Sequence, residues 1–266
     1  MLSGFTALDA LFAPKAELWE RWSIHDPQST QSIDHSAWDR FLKAYVHPDP
    51  DGLNRVAYGR VTGPDKKALK GYLGALAVVP VSRLNRAEQL AYWINAYNAL
   101  TVDLIIDHYP VESITDIDLG GGGFFSSGPW SKPLFPVEGT EVALNDIEHR
   151  ILRPIWQDPR LHYALNCASV GCPNLQPAAF TALLVESMLE DGATAFVNGP
   201  RNVRIIGENL SVSKIYSWFQ GDFGGSEGAV LDHLRHYANP DLFTQLDGHT
   251  SVSTYSYDWT LNEGSD

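Results

Sequence analysis

Residues 86–108 read RAEQLAYWINAYNALTVDLIIDH and give the longest helical signal in the chain. Apolar side chains recur on nearly every face of the helix that this spacing predicts, and a helix that is apolar all round is buried in a core. The helix is predicted to end before Tyr109-Pro110, because a residue that precedes proline is disfavoured in the helical conformation. We therefore expect one long buried helix at the centre of the protein.

Around this helix, the sequence predicts further helices and a few short strands. Turn residues between apolar runs predict hairpins at residues 135–144 and 203–213. Residues 161–167 are interpreted as a buried strand, and Asn145 with Glu148 is interpreted as a capping box that opens the next helix. Helices outnumber strands, and few strands alternate with helices, which is typical of the α+β class.

The domain organisation follows from the same patterns. Residues 34–262 are predicted to form a single, mostly helical α+β domain packed on a small β-sheet. An apolar stripe at helical spacing runs from Phe5 to Trp22, so residues 1–33 are predicted to form a helical N-terminal arm. The sequence contains no internal repeat and no low-complexity linker, so nothing in it indicates a second domain.

Composition limits the classes of function. The chain has 266 residues, with 19 Lys or Arg and 32 Asp or Glu, so its formal net charge is −13. A hydrophobic fraction of 44% excludes disorder for most of the chain. The acidity argues against nucleic acid as a partner, because there is no surplus of basic side chains to release counterions. No apolar run approaches the roughly 20 residues of a membrane helix, so no membrane insertion is expected.

The N-terminal residues leave the compartment open between two interpretations. The sequence MLSGF lacks the basic region and the long apolar stretch of a signal peptide. The protein is then either cytoplasmic or a mature chain whose leader has been removed. We slightly favour the second, a periplasmic or exported protein.

The two cysteines, Cys167 and Cys172, lie five residues apart in the stretch HYALNCASVGCPN. Three interpretations of Cys167 stay open: a buried core thiol, a reactive thiol, and a disulfide with Cys172. A reactive thiol needs a base, since a free thiol is only slightly ionised at neutral pH. The nearest candidates in the sequence are His149, His162 and His108. On a strand, His162 and Cys167 would point to opposite faces, which favours His149.

Three asparagines are further candidates. Asn95 and Asn98 lie one helical turn apart on the otherwise apolar helix, and buried amides must find partners. They either hold loop backbone or orient a catalytic group or bind substrate. Asn166 directly precedes Cys167 and is a candidate substrate-binding residue.

Glu148 and Trp130 complete the predicted site. Glu148 is interpreted either as the acid of the capping box or as the group that orients a catalytic imidazole. Trp130 ends a glycine-rich loop, residues 120–130, that is expected to act as a lid with exposed aromatic side chains. Backbone N–H groups of the turn at residues 171–173 are expected to hold an oxyanion.

Five separated stretches of the sequence together match the pattern of one protein family. They are EQLAYWINAYNALT at 88–101, LNDIEHRILR at 144–153, HYALNCASVGCP at 162–173, SKIYSWF at 213–219 and DFG at 222–224. Together they resemble the family catalogued as domain of unknown function 547, over roughly residues 34–262. Bacterial members of that family often begin with an export signal.

The resemblance also implies which residues form the site. It places a Glu-His dyad at Glu148 and His149, a second histidine at His162, and the family's cysteine at Cys167. It favours Cys167 over Cys172 as the functional thiol. The pattern has a distant likeness to papain-like and transglutaminase-like thiol enzymes.

These observations lead to three hypotheses of function. The first is a thiol-dependent hydrolase or acyl transferase, in which Cys167 is the nucleophile, His149 or His162 is the base, and Glu148 or Asn98 orients the imidazole. The second is a non-catalytic module that binds a peptide or a small ligand. The third is a metal-assisted enzyme built from the two histidines and an acid. The first two need no cofactor.

Overall fold

The computed structural model of the protein describes residues 15–119 and 128–264, and the mostly helical α+β class is confirmed. A π-helical segment, Asp146–Leu152, leads directly into the fourth α-helix. The α-helices in these ranges are α1 (Ser36–Tyr45), α2 (Gly63–Ala77), α3 (Arg86–His108), α4 (Arg153–Trp156), α5 (Val185–Val197), α6 (Ile215–Trp218), α7 (Glu227–Tyr237) and α8 (Pro240–Leu246). Short 3-10 helices are Glu20–Ser23, Tyr58–Arg60, Val81–Arg83, Ile114–Asp116 and Pro159–Tyr163.

The strands of the described residues are distributed over three small sheets. They are β1 (Val46–Pro48), β2 (Asn54–Val56), β3 (Phe135–Val137), β4 (Thr140–Val142), β5 (Val203–Ile206), β6 (Asn209–Ser213) and β7 (Thr254–Ser256). Strands β1 and β2, β3 and β4, and β5 and β6 pair antiparallel, whereas β7 joins β6 in parallel. Both predicted hairpins are confirmed. The β3–β4 turn places Glu138 and Gly139 at positive φ, as a tight two-residue hairpin turn requires.

The long helix α3 forms the centre of the larger core, as its apolar pattern predicts. Tyr92, Trp93 and Ile94 are fully buried, and Trp93 meets Trp22 edge-to-face with 5.2 Å between the ring centroids. Burial of each such side chain contributes on the order of 2 kcal/mol. At the N-terminus of the helix, the Asn85 side chain accepts a hydrogen bond from the Glu88 amide.

A second apolar cluster is built mainly from the C-terminal elements α5 to α8. It contains Tyr163, Phe196, Tyr216, Phe223 and Leu234, all of which are buried. Tyr163 comes from the segment between the two clusters, directly after His162. The boundary between the two apolar clusters is therefore where His162 lies.

The strand predicted at residues 161–167 is wrong. Asp158 accepts a hydrogen bond from the Arg160 amide and Pro159 occupies the first turn, so the chain starts a 3-10 helix that ends at Tyr163. An irregular loop follows, in which Ala168 adopts the left-handed conformation at φ 61°. The objection to His162 as a partner of Cys167, which rested on strand geometry, no longer applies.

The capping box predicted at Asn145 and Glu148 is also wrong. Asn145 itself has helical dihedral angles and makes no side-chain cap. Asp146 takes that place, because its Oδ2 accepts a hydrogen bond from the Ala143 amide at 2.9 Å. Glu148 is therefore not used as a cap.

The N-terminal residues that the structure describes pack on the domain. The amides of Glu17 and Trp19 donate to the carbonyls of His149 and Arg150. Of the helical pattern predicted there, the stripe at residues 5–12 lies outside the described residues, and a separate arm over residues 1–33 stays a prediction. Within the described ranges, no helix combines the length and the apolar character that crossing a membrane would need.

Candidate active site

The π-helical segment Asp146–Leu152 carries two of the predicted site residues. A π-helix has one more residue in its hydrogen-bonded turn than an α-helix, and such segments occur frequently at functional sites. Here the Arg153 amide donates to the Glu148 carbonyl across the wide turn. The widened turn positions the side chains of Glu148 and His149.

Glu148 has a largely buried carboxylate with few direct partners. Its side chain is 13% exposed, and its Oε1 lies 3.8 Å from Nδ1 of His149 and 3.9 Å from Nδ1 of His162. In the described part of the chain, these imidazoles are the only basic groups within 4.0 Å of this carboxylate. Tyr97 lies next to Glu148. Burial is the main cause that raises the pKa of Tyr97 well above its usual value, and the Glu148 carboxylate raises it further.

His162 is held between an acid and an aromatic ring. Its Nε2 lies 2.7 Å from Oδ2 of Asp222, and Phe219 stacks on the imidazole with centroids 4.3 Å apart. A carboxylate that accepts the Nε2 hydrogen fixes the tautomer, so Nδ1 is the free acceptor. That nitrogen is the one nearest to Glu148.

Asp222 binds a second group as well. Nε of Arg153 donates to its Oδ2 at 2.6 Å. Burial raises the pKa of Asp222, but the hydrogen bonds from His162 and Arg153 outweigh it and hold the pKa well below the usual range. Asp222 is thus a carboxylate that orients one imidazole and pairs with one guanidinium.

His149 has a different environment from His162. The ring is buried, and its Nδ1 lies 3.0 Å from Nη1 of Arg153, a donor, so Nδ1 accepts. Burial is the main cause that lowers the pKa of His149. Glu148 opposes this effect, whereas Arg153 and His162 add to it. The result is a neutral imidazole with one lone pair already engaged.

Cys167 and Cys172 are joined by a disulfide, the third of the three interpretations left open by the sequence. In this state Cys167 carries no thiol and is not a nucleophile. Cys167 is partly exposed, whereas Cys172 is buried. The Tyr257 hydroxyl lies 3.0 Å from the Cys167 sulfur and 3.1 Å from the Cys172 sulfur. Burial chiefly raises the pKa of Tyr257, and the Glu148 carboxylate adds to this effect.

The asparagines near the disulfide hold loop backbone. Asn98 accepts a hydrogen bond from the Asn166 amide and donates to the Ala164 carbonyl. Asn166 donates to the Pro173 carbonyl and accepts from the Ala168 amide, which supports the left-handed Ala168. These bonds shape the loop that contains Cys167, and the catalytic and binding roles of Asn98 and Asn166 stay predictions.

Asn95 lies apart from the other candidates. Its side-chain Nδ2 donates to the Phe180 carbonyl at 2.7 Å, and its Oδ1 accepts from the Phe180 amide at 3.0 Å. The loop before α5 is fixed by these two bonds, and no contact of Asn95 with the residues around Glu148 is seen among the described residues.

The turn at residues 171–173 is already hydrogen-bonded. The amides of Val170 and Gly171 donate to the carbonyls of Thr260 and Asp258, and the Cys172 amide donates to Ser169. The predicted oxyanion-binding role is therefore not available to these three amides in this state. A Cβ at Gly171 would lie 2.8 Å from the Asp258 nitrogen, so the two chain segments can approach only because this residue is glycine.

This close contact brings aromatic side chains from the C-terminal segment to the site. We define the aromatic rim as Trp130, Trp218, Tyr257 and Trp259. Ring centroids are 4.6 Å apart for Tyr257 and Trp259, 4.9 Å for Trp218 and Tyr257, and 5.7 Å for Trp130 and Trp259. Gly128 has a positive φ, and a Cβ there would clash with the Trp130 ring. Residues 120–127 of the predicted lid lie outside the described residues.

Sequence reasoning missed several residues that the structure brings to the site. Asp222 belongs to the DFG stretch and Phe219 to the SKIYSWF stretch, so both had a signal in the shared pattern that was not assigned a role. Tyr97 and Arg153 had a similar but weaker signal, since they flank Asn98 and the Glu148–His149 pair. Tyr257 had none.

The third hypothesis requires a set of metal ligands among the histidines and acids. No group of three or more His, Cys, Asp or Glu side chains in the described ranges is arranged to hold a metal ion. His149 and His162 point their Nδ1 atoms at Glu148 from 3.8 and 3.9 Å, which is well beyond hydrogen-bonding distance. The third hypothesis therefore has no ligand set in the described residues.

Comparison with known proteins identifies the family pattern of the central segment. A family model described as "Protein of unknown function, DUF547" matches residues 81–197, so the resemblance is confirmed over this segment. The segment contains α3, the Glu148–His149 pair, His162 and both cysteines. Comparisons with curated proteins and with solved structures found no match.

Proposed function

We propose that the protein is a thiol-dependent hydrolase or acyl transferase that acts when the disulfide is reduced. Cys167 is the nucleophile, and His162 is the base, oriented by Asp222. One observation carries the proposal: the Asp222 carboxylate engages Nε2 of His162, which leaves Nδ1 of the imidazole as the free acceptor on the side of Glu148. The Tyr257 hydroxyl contacts the sulfurs of both cysteines. In hydrolytic triads a carboxylate likewise fixes the tautomer of the base that serves the nucleophile.

The reaction begins with a thiol reductant, which is oxidised as the disulfide becomes two thiols. His162 accepts the proton of Cys167, and the thiolate attacks an acyl carbonyl carbon to form a thioester. The amine or alcohol of the substrate leaves with the proton from His162. Water then releases the acid, or a second nucleophile takes the acyl group, and Cys167 is restored.

The structure favours His162 over His149 as the base. Nδ1 of His149 already accepts from Arg153, and burial lowers its pKa, so this imidazole is a poor proton acceptor. His162 has an acid behind it instead. We propose that His149 positions Arg153, and that Arg153 in turn positions Asp222.

The rate of alkylation of the reduced protein tests this proposal as a function of pH. The variant Cys172→Ser keeps a single thiol, Cys167, and serves as the parent for His162→Ala and His149→Ala. We expect the parent to react at neutral pH at least tenfold faster than the His162→Ala form, with a smaller loss in the His149→Ala form. A thiol that titrates near its ordinary value of about 8.5 in all three variants would contradict the proposal.

A binding module is the second candidate, and the observed disulfide favours it. With Cys167 oxidised, the site still has a carboxylate and an aromatic rim that can hold a ligand. If the reduced thiol proves inert while a ligand binds the oxidised protein, this second function replaces the first.

A further inference from the structure

The two carboxylates of the site are not balanced in the same way. Asp222 faces the Arg153 guanidinium at 2.6 Å, so its charge is matched inside the protein. In the described part of the chain, no Lys or Arg lies within 4.0 Å of Glu148, although its side chain is only 13% exposed. Removing a carboxylate from water without a cation or strong donors is costly. The site therefore holds one carboxylate whose charge is not matched by a resident cation.

The Tyr97 hydroxyl donates to Glu148, and this neutral donor only partly offsets the burial of the carboxylate. The contacts of Glu148 to the two imidazoles, at 3.8 and 3.9 Å, are too long for hydrogen bonds. The capping role that would have explained a buried acid here belongs to Asp146. The helix does not need this carboxylate, which can therefore bind a ligand beside the Tyr97 hydroxyl.

The aromatic rim lies next to this carboxylate. Trp130 interacts with the Tyr97 hydroxyl, and Tyr97 is adjacent to Glu148. Trp130 and Trp259 meet edge-to-face, and Trp259 is 37% exposed, so the rim reaches solvent. The face of a tryptophan ring attracts cations, and a cation gains further when a carboxylate stands beside the ring.

We propose that the site binds an alkylammonium group, with the ammonium on Glu148 and the alkyl chain against Trp130 and Trp259. Such a group occurs on a lysine side chain or a small amine. An ammonium supplies the missing positive charge and three donors, and the methylenes cover the rim. The net charge of −13 adds long-range attraction for cations. The inference rests on the proposed function because it names the substrate class of that same site.

Binding of n-pentylammonium to the oxidised protein tests this inference, with tryptophan fluorescence or calorimetry as the readout. The neutral analogue 1-pentanol and the anion pentanoate have the same chain length. We expect the ammonium to bind at least tenfold more tightly than the alcohol, and pentanoate not to bind. Equal affinity for ammonium and alcohol, or no binding of either, would overturn the inference.

Variants locate the binding on Glu148. Glu148→Gln should weaken pentylammonium binding about tenfold and leave the weak binding of pentanol unchanged. Glu141→Gln, on the exposed face of β4, removes the same charge elsewhere and should have no effect. Trp259→Ala should weaken both ligands. If Glu148→Gln does not fold, Glu148→Asp keeps the charge and should retain part of the preference for the ammonium over the alcohol, and loss of that preference would count against the inference.

The outcome is separable from that of the proposed function. These titrations use the oxidised protein, in which Cys167 has no thiol, so thiol reactivity does not contribute. Alkylation of the reduced protein contains no amine ligand. Cation binding without a reactive thiol rejects the proposed function alone, and a reactive thiol without cation binding rejects only this inference.

Discussion

The segment that matches the family model, residues 81–197, and the C-terminal segment, residues 213–262, contribute to the site in different ways. The first supplies the groups that could react or bind: Glu148, the two histidines and both cysteines. The second supplies groups that orient and cover them, namely Asp222 behind His162 and the ring of Tyr257 beside the sulfurs. One segment carries the candidate reactive groups, and the other determines how they are oriented.

The difference has a structural origin. The family segment packs in the larger core around α3, whereas most of the C-terminal segment belongs to the second cluster. The contacts between the two segments include His162 with Asp222, the disulfide with Tyr257, and Tyr163 with His233. The geometry of the site therefore depends on how the second cluster docks on the first, and these contacts can be tested one by one.

Loss of Asp222 should have the largest effect. Asp222→Ala removes the carboxylate that Nε of Arg153 contacts in a side chain that is only 7% exposed, and it removes the acceptor of Nε2 of His162. We expect the free energy of unfolding to fall by about 3 kcal/mol at pH 7, the lower end of the range for a broken buried ion pair. Urea denaturation measures this change.

A surface acid and a pH series provide the controls for Asp222. Asp232→Ala breaks an exposed pair with Arg235 and should cost less than about 1 kcal/mol. Because the folded pKa of Asp222 is lowered, its contribution is complete above the unfolded value of about 4 and is lost as the pH falls below it. As the pH falls through this range, the free energy of unfolding of Asp222→Ala should therefore decrease less than that of the wild type. Equal costs for the two variants would mean that Asp222 does not join the segments.

Removal of the disulfide should have a smaller effect, because this bond lies within the family segment. The bridge closes a short loop, with a sequence separation of 5, and the loop-entropy estimate gives about 2 kcal/mol. Reductant should lower the unfolding free energy of the wild type by that amount. The double variant Cys167→Ser with Cys172→Ser is the control, since its stability should not respond to reductant. A wild type that is equally indifferent would show that the bond adds no stability.

The comparison also explains what the sequence could predict. The helix α3 and the hairpins were predicted because their signals are local: apolar spacing, a turn residue and a following proline. The same local signals failed at residues 161–167, where an apolar run was interpreted as a strand although Asp158 and Pro159 start a 3-10 helix. At Glu148 the sequence matched a cap, but neighbouring Asp146 made the cap instead.

The partners of the site residues could not be predicted, because they lie far away in sequence. His162 and Asp222 are separated by 60 residues, and Cys167 and Tyr257 by 90. No local pattern states which acid will approach which imidazole once two apolar clusters dock. The family pattern could name His162 and Cys167, whereas their roles depend on Asp222 and Tyr257.

The contact of Tyr163 with His233 should give the smallest of these effects. Nε2 of His233 lies 2.7 Å from the Tyr163 hydroxyl, so this pair links the two segments. Burial foremost, together with His236 and His162 and against the effect of Asp158, lowers the pKa of His233 to about 4. We expect His233→Gln to cost about 1 kcal/mol at pH 7, the typical value of one hydrogen bond, in urea denaturation.

The pH dependence of this variant identifies the cause. Between the unfolded pKa of about 6.5 and the folded pKa of about 4, the unfolded state binds a proton that folded His233 does not, so stability falls as the pH falls. His233→Gln should therefore lose less stability than the wild type from pH 7 to pH 4. Exposed His236 is the matched control, and His236→Gln should keep the wild-type slope. If both variants kept that slope, the neutral His233 would not stabilise the docking of the two segments. The docking would then depend on their other contacts, among them those of Asp222 and Tyr257.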